Sequence, residues 1–412
     1  MRAIVAIVIL LLVLLLAGLI VYILADRAWS VIKARYELRR RAVLAAAMDR
    51  WLASEPEQRP DEFLRPRPPF DRALAVQLCL ERLPASDERS RSRMLDWLEN
   101  SGQVASWLRD LSARSTWIRA SAAENLGILR IPQVLDALVR ALGDPVFDVR
   151  MRAAKALGAL GGAQARQALI ATLSEENRWS VIRIADLLAE MGPVVVEELI
   201  DAIPTMGRAS RLAALDVIAQ VGNNDATPFL SAELDELDRD VRARAASALG
   251  QIGDERAIPG LVNALHDPEW PVRAMAAKAL GRLNARAAGS ELAASLRDRE
   301  WWVRANAAEA LAQLGPDGLD VLTLMLDDQD AFARDSALAA LEASGELTRQ
   351  LMPLTSSDAG SRQDAIRLLK VLTSRVSGHR LAAIRDLQRD EQLRSAIDSV
   401  LSRANAREEA VS

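Results

Sequence analysis

The stretch DPEWPVRAMAAKALGRLN, residues 267–284, decides the fold, because the chain repeats it. Its relatives are DPVFDVRMRAAKALGALG (144–161), LDRDVRARAASALGQIG (237–253) and DREWWVRANAAEALAQLG (298–315). The shared phrase is Asp, a short gap, Val-Arg, two residues, Ala-Ala, one residue, Ala-Leu, and a closing Leu-Gly or Ile-Gly. The arginine recurs at Arg119, Arg150, Arg211, Arg242, Arg273, Arg304 and Arg334, with gaps of 31, 61, 31, 31, 31 and 30 residues. The gap of 61 holds one degenerate unit, with Val181 at the arginine position. Diverged units fit at Arg91, Arg362 and Arg394. So regular a period is the signature of a repeat array.

Each unit reads as two helices. Asp144-Pro145 and Asp267-Pro268 offer an N-cap and a first-turn proline. Val149, Ala153, Leu157 and Leu160 then fall on one helical stripe. Gly161-Gly162 or Gly253-Asp254 stops the helix, and Ile258, Leu261, Val262 and Leu265 mark a second one. No single pair can bury both its faces, but stacked pairs share a continuous core. The expected fold is therefore all-α: an α-solenoid over residues 71–404, followed by a polar tail (405–412).

These Asp-x4-Val-Arg-x2-Ala-Ala-x-Ala-Leu phrases resemble HEAT-like repeats of the phycobilisome-lyase type. The resemblance implies the solenoid and leaves the role open, since such arrays serve as lyases, hydroxylases, nucleic-acid readers and scaffolds. The hydroxylases carry His-Glu metal ligands. Here His266 stands next to Asp267 and His379 next to Arg380, so that chemistry is not implied.

Composition agrees with helices. Of the 412 residues 50% are hydrophobic but only 4% aromatic, which makes a core of Ala, Leu and Val. A lone cysteine, Cys79, excludes an intrachain disulfide, and two scattered histidines argue against a histidine-based metal site. There is no Walker loop, Gly-x-Ser-x-Gly, dinucleotide fingerprint or Cys-x-x-Cys. The expectation is a protein without catalysis, metal or cofactor.

The first residues carry a different signal. Ala3–Leu24 is a run of 22 uncharged residues, AIVAIVILLLVLLLAGLIVYIL. At about 1.5 Å per helical residue it matches the roughly 30 Å core of a bilayer, and it exceeds the apolar stretch of a signal peptide. Residues 3–24 are thus expected to be a transmembrane helix. Arg27, Lys33, Arg35, Arg39, Arg40 and Arg41 follow it, and positive charge stays on the cytoplasmic side. The expected topology is single-pass in the inner membrane, N-terminus outside and solenoid cytoplasmic. Residues 25–53, free of Gly and Pro, read as a basic juxtamembrane helix. SEPEQRPDEFLRPRPPF (54–70), with five prolines, reads as a linker. The chain's net charge is −4, and residues 1–50 carry eight basic and three acidic side chains, so the remainder is at −9. An acidic body argues against nucleic acid.

Two columns could bind something. One is the set of seven repeat arginines. Asp144, Asp267, Asp298 and Asp328 each stand six residues before an arginine. That matching favours a ladder of bidentate pairs, with the aspartate of the same or the next unit, over anion binding. The other column is aromatic: Trp117, Phe147, Trp179, Trp270, Trp301, Trp302 and Phe332, two or three residues before the arginine position. Two roles are open to it, packing under the edge loops or docking a protein partner, membrane proteins among the candidates. Neighbouring helical residues diverge by about 100°, so Trp301 and Trp302 cannot share one core. Residues 174–222 depart from the pattern, with Pro193, Pro204 and Gly207-Arg208-Ala209-Ser210.

Overall fold

A computed structural model describes residues 36–54, 69–174, 178–375 and 391–409, with isolated positions near the N-terminus and within 382–390. The described residues form helices and turns and no strand. They fall into two compact units, one ending at Ala165 and the other beginning at Arg166.

The first unit opens with α1 (36–53), followed by α2 (Pro69–Arg82), α3 (Glu88–Asn100), α4 (Gln103–Asp110), α5 (Thr116–Leu129), α6 (Leu135–Ala141) and α7 (Phe147–Leu160). Leu44, Met48 and Trp51 of α1 are buried. Ion pairs tie α1 to α2: Arg40 to Asp71, Arg41 to Glu81, and Asp49 to Arg82. Arg40 and Arg41, two of the basic residues expected beside the membrane, are thus engaged within the unit. The helix α2 begins inside the stretch expected as a linker, at Pro69, where proline is well tolerated in a first turn. Most of that linker lies outside the described residues.

The second unit holds most of α8 (Ala163–Leu173). After it come α9 (Arg178–Glu190), α10 (Val196–Ala202), α11 (Arg208–Val221), α12 (Thr227–Ala232), α13 (Arg239–Ile252) and α14 (Ile258–Ala264). The next pairs are α15 (Trp270–Arg282) with α16 (Gly289–Ser295), α17 (Trp301–Gln313) with α18 (Pro316–Met325), and α19 (Ala331–Ala343) with α20 (Glu346–Leu351). The unit ends with α21 (Ala359–Arg375) and α22 (Glu391–Glu409). Successive first helices lie side by side: α9, α11, α13, α15, α17 and α19 here, α5 and α7 in the first unit.

A recurrent fully buried position explains the stacking within each unit. Leu126 and Leu157 in the first unit, and Leu188, Ile218, Leu249, Leu280, Leu311 and Leu341 in the second, each seven residues after an arginine position, are all at 0% exposure. Each such side chain contributes roughly 1.5–3 kcal/mol by leaving water. The helices end on a second recurrent position. Arg130, Gly161, Gly192, Gly253, Asn284, Gly315 and Gly345 all have positive φ, a backbone conformation that breaks the helix and favours glycine. Gly192 at that position identifies the stretch around Val181 as a true unit despite its missing arginine.

Helix starts differ from expectation. The aspartate of Asp-Pro does not cap the first helix. Asp144 Oδ1 accepts from the N–H of Val146 at 2.8 Å, and the helix begins at Phe147. The same Asx turn recurs at Asp267, Asp298 and Asp328. The turn takes the two residues that the pattern would have given to the helix, and the aromatic becomes its first or second residue.

The expected span 3–24 lies outside the described residues, apart from Leu19, Tyr22 and Ile23. Among the described residues no helix is long and apolar enough to cross a membrane.

The small residues set the helix spacing. A Cβ built on Gly250 would lie 2.6 Å from Cα of Ala279, and one on Gly281 would lie 2.7 Å from Cα of Ala310. Backbone cannot yield as a side-chain tip can. Gly250→Ala and Gly281→Ala should therefore destabilise the protein by about 1–3 kcal/mol through overpacking, although alanine is the better helix former by about 1 kcal/mol. Thermal melts of the two variants check this; an unchanged or raised Tm would contradict it.

Candidate functional site

The arginine column is built into the turns. Arg119, in α5, gives Nε and Nη2 to the two oxygens of Asp144 at 2.6 and 3.0 Å. Its Nη1 reaches the carbonyl oxygens of Ala113 and Arg114, at 2.9 and 3.2 Å. The second unit repeats the arrangement. Arg242 holds Asp267 at 2.7 and 3.0 Å, and Arg273 holds Asp298 at 2.6 and 2.9 Å. The sequence left open which unit supplies the acid. It is the next unit, 25 residues on, while the arginine's own turn is gripped through main-chain oxygens.

Each carboxylate does two things at once. It closes its own Asx turn and accepts the guanidinium of the preceding unit. Burial alone would raise the pKa of Asp298, but the bonds from Arg273 and the N–H of Glu300 hold it below the usual carboxylate range. Asp144 is held low chiefly by Arg119.

The other arginines vary the theme. Arg211 is bonded to Glu233 and paired with Glu236, which replace the missing aspartate. Arg150 grips the carbonyls of Asp144 and Pro145 and lies 5.7 Å from the centre of the Phe147 ring. The residue 25 positions after it is outside the described residues. Arg334 grips the carbonyls of Asp328 and Gln329 at 2.7 and 2.9 Å. Arg304 grips those of Asp298 and Arg299, and Asp328 is bonded instead by Arg297.

The aromatics are not packed under the loops. Trp117 and Phe147 are exposed in the first unit, and Trp270, Trp301, Trp302 and Phe332 in the second, from 39% for Trp270 to 76% for Trp117. Trp301 and Trp302 both reach the surface and meet edge to face, ring centres 4.6 Å apart. Trp179 lies in α9, and its side chain is outside the described residues.

Some elements escaped the sequence pattern. Arg166 makes a bidentate pair with Glu198 at 2.9 and 2.6 Å, and Ser210 is buried against the carbonyl of Leu173. Both tie the irregular residues 174–222 to α8. A spacing of 31 or 32 between opposite charges, shared by Arg166–Glu198 and Arg297–Asp328, was the signal available. Leu237, at 98% exposed, adds an apolar tip on the loop before α13. Cys79 is buried, and its thiol is pushed up to about 12 by burial, which makes it inert. Among the described residues no group of three or more His, Cys, Asp or Glu side chains could hold a metal ion.

HEAT repeats match residues 104–189, 196–268 and 258–342, more than half of the chain, and the protein belongs to the HEAT-repeat family. No curated protein matches it. Among solved structures it is similar to an engineered protein at 20% identity, over 73% of this chain and 98% of that one, with a TM-score of 0.36. It is also similar to the complex of CpcE and CpcF of phycocyanin lyase from Nostoc sp. PCC7120, at 22% identity, over 58% and 94%, with a TM-score of 0.27. A third similarity is to the karyopherin Kap121p, bound to the extreme C-terminus of the protein phosphatase Cdc14p. It runs at 11% identity over 88% and 50%, with a TM-score of 0.45.

The lowered carboxylates have a pH consequence. Asp144 and Asp298 ionise more readily folded than unfolded, where an aspartate titrates near about 3.9. Their stabilisation is complete above that value and is lost as pH falls through the folded pKa. Asp298→Asn should cost about 2–4 kcal/mol at neutral pH, because it leaves a buried arginine charge unpaired. The variant should also lose less stability than the parent between pH 5 and pH 2. Chaotrope denaturation across that range checks both; parallel pH profiles would contradict the assignment.

Proposed function

We propose that the protein is a membrane-anchored, non-catalytic adaptor whose HEAT repeats dock protein partners at the inner face of the membrane. One observation carries the docking: large aromatic rings stand exposed on the first turns of successive helices, Trp270, Trp301, Trp302 and Phe332 in the second unit alone. Burying such rings costs little conformational entropy and removes much apolar area from water, which is why tryptophan and tyrosine concentrate in binding hot spots. The arginines beside them are for the most part held by carboxylates and carbonyls, so the edge offers apolar contact rather than free charge.

The anchor rests on the apolar run at residues 3–24 and on the basic residues that follow it. Tethering confines encounters to a thin layer and raises the effective concentration of a membrane-bound partner. This makes membrane proteins, or their cytoplasmic domains, the natural partners.

The test is purification of the full chain from membranes, beside a Trp301→Ala, Trp302→Ala double variant. The protein should sediment with membranes and require detergent for release. A stoichiometric protein partner should co-purify and be lost in the variant, at unchanged Tm. The same companions in both samples, or nucleic acid in place of protein, would contradict the proposal.

A further inference from the structure

Arg304 breaks the ladder. Like its counterparts it holds its own turn, with Nη1 on the carbonyls of Asp298 and Arg299 at 2.8 and 3.1 Å. Arg119, Arg242 and Arg273 give their remaining edge, Nε and Nη2, to a carboxylate of the next unit. For Arg304 three sequence changes prevent this. The connection from Gly315 to Asp328 is one residue shorter than that from Asn284 to Asp298. Gln329 stands at the position 25 residues on. Asp328 is bonded by Arg297, whose counterpart in the preceding unit is His266. As a result the Arg304 Nε is buried without a hydrogen-bond partner, in a side chain only 7% exposed.

The same guanidinium lines a groove of about 790 Å³ between α17 and α19, walled by alanines of both helices. Trp301 and Phe332 line it too, and the Phe332 ring lies 4.6 Å from the guanidinium carbon. An unpaired, water-poor guanidinium beside two exposed rings is complementary to a carboxylate that carries apolar neighbours.

We propose that this groove receives a single acidic side chain of a protein partner, flanked by a large apolar one. The carboxylate takes the Nε and Nη2 edge of Arg304, as aspartate does for the other rungs. The apolar neighbour lies against Trp301 and Phe332. The Phe332 ring, 61% exposed, is the group that turns aside to admit it. The groove presents one such unbonded arginine nitrogen, the Arg304 Nε, so the fitting segment places one acid there. This inference rests on the docking role proposed above and names its chemistry.

The test selects phage-displayed random 12-residue peptides on the detergent-solubilised full chain. Selected peptides should share one Asp or Glu beside Trp, Phe or Leu. A synthetic peptide of that sequence should lose roughly tenfold or more in affinity when its acid becomes the amide, measured on the unaltered protein. Arg304→Lys, which keeps the charge but not the fork, should weaken the acidic peptide similarly and leave the amide peptide unaffected. Three results would overturn the proposal: no enriched peptides, enriched peptides without an acid, or equal binding of acid and amide forms. Peptides that need Trp301 and Trp302 but ignore the acid would overturn it while leaving the docking role standing.

Discussion

The structure depends on one bond pattern, a guanidinium that grips its own turn through carbonyl oxygens and the next turn through a carboxylate. Arg273 shows it in full: Nη1 on the oxygens of Asp267 and Pro268, Nε and Nη2 on Asp298. The pattern fixes where one helical pair ends and the next begins. Its net contribution to stability is modest, because a buried ion pair must first be desolvated. The larger favourable contribution is apolar burial, to which the leucines of the same helices add roughly 1.5–3 kcal/mol each. Leucines are nearly indifferent to small rotations, whereas a planar fork on two oxygens is not. The leucines hold the helices together, and the arginines set their register.

The same division of labour explains how the array absorbs irregular units. Val181 has no guanidinium, yet Leu188 is fully buried and Gly192 ends the helix as its counterparts do. Arg166 with Glu198, and Ser210 with the carbonyl of Leu173, supply polar ties for these residues. Where Asp328 turns to Arg297, the register holds but the Arg304 Nε is left without a hydrogen-bond partner. The shorter connection, Gln329 and the competing Arg297 together turn a structural arginine into a chemically distinct one.

Much of this was legible in the sequence. The spacing of Arg119 through Arg334 gave the units, and Gly161 and Gly253 marked helix ends. The matched aspartates announced a ladder. Three things were not legible. The Asx turn at Asp144 and Asp267 moved the helix starts, because an aspartate three residues before a helix looks like one that caps it. Whether Asp298 serves Arg304 or Arg273 depends on how turns stack, and spacing within one unit cannot say. Exposure of Trp301 and Trp302 depends on helix crossing geometry at the array edge, which a single stripe does not contain. Glycines such as Gly250, inside the helix rather than at its end, are there for the approach of Ala279.

The aromatic edge follows from the ladder. Because the Asx turn takes up the Asp-Pro residues, the helix starts on the aromatic, and a first-turn side chain there points away from the packed stripe. The arginines and aspartates build the turns, and the rings beside them stand exposed at the surface. The most direct test is a double-mutant cycle on Arg273 and Asp298, using Arg273→Met and Asp298→Asn singly and together in chaotrope denaturation. A register-setting pair predicts a coupling of about 2 kcal/mol or more, with each single change costing more than half of what the double change costs. Additive losses, with coupling within about 0.5 kcal/mol of zero, would show that the rungs are ornaments on a stack held by leucine alone.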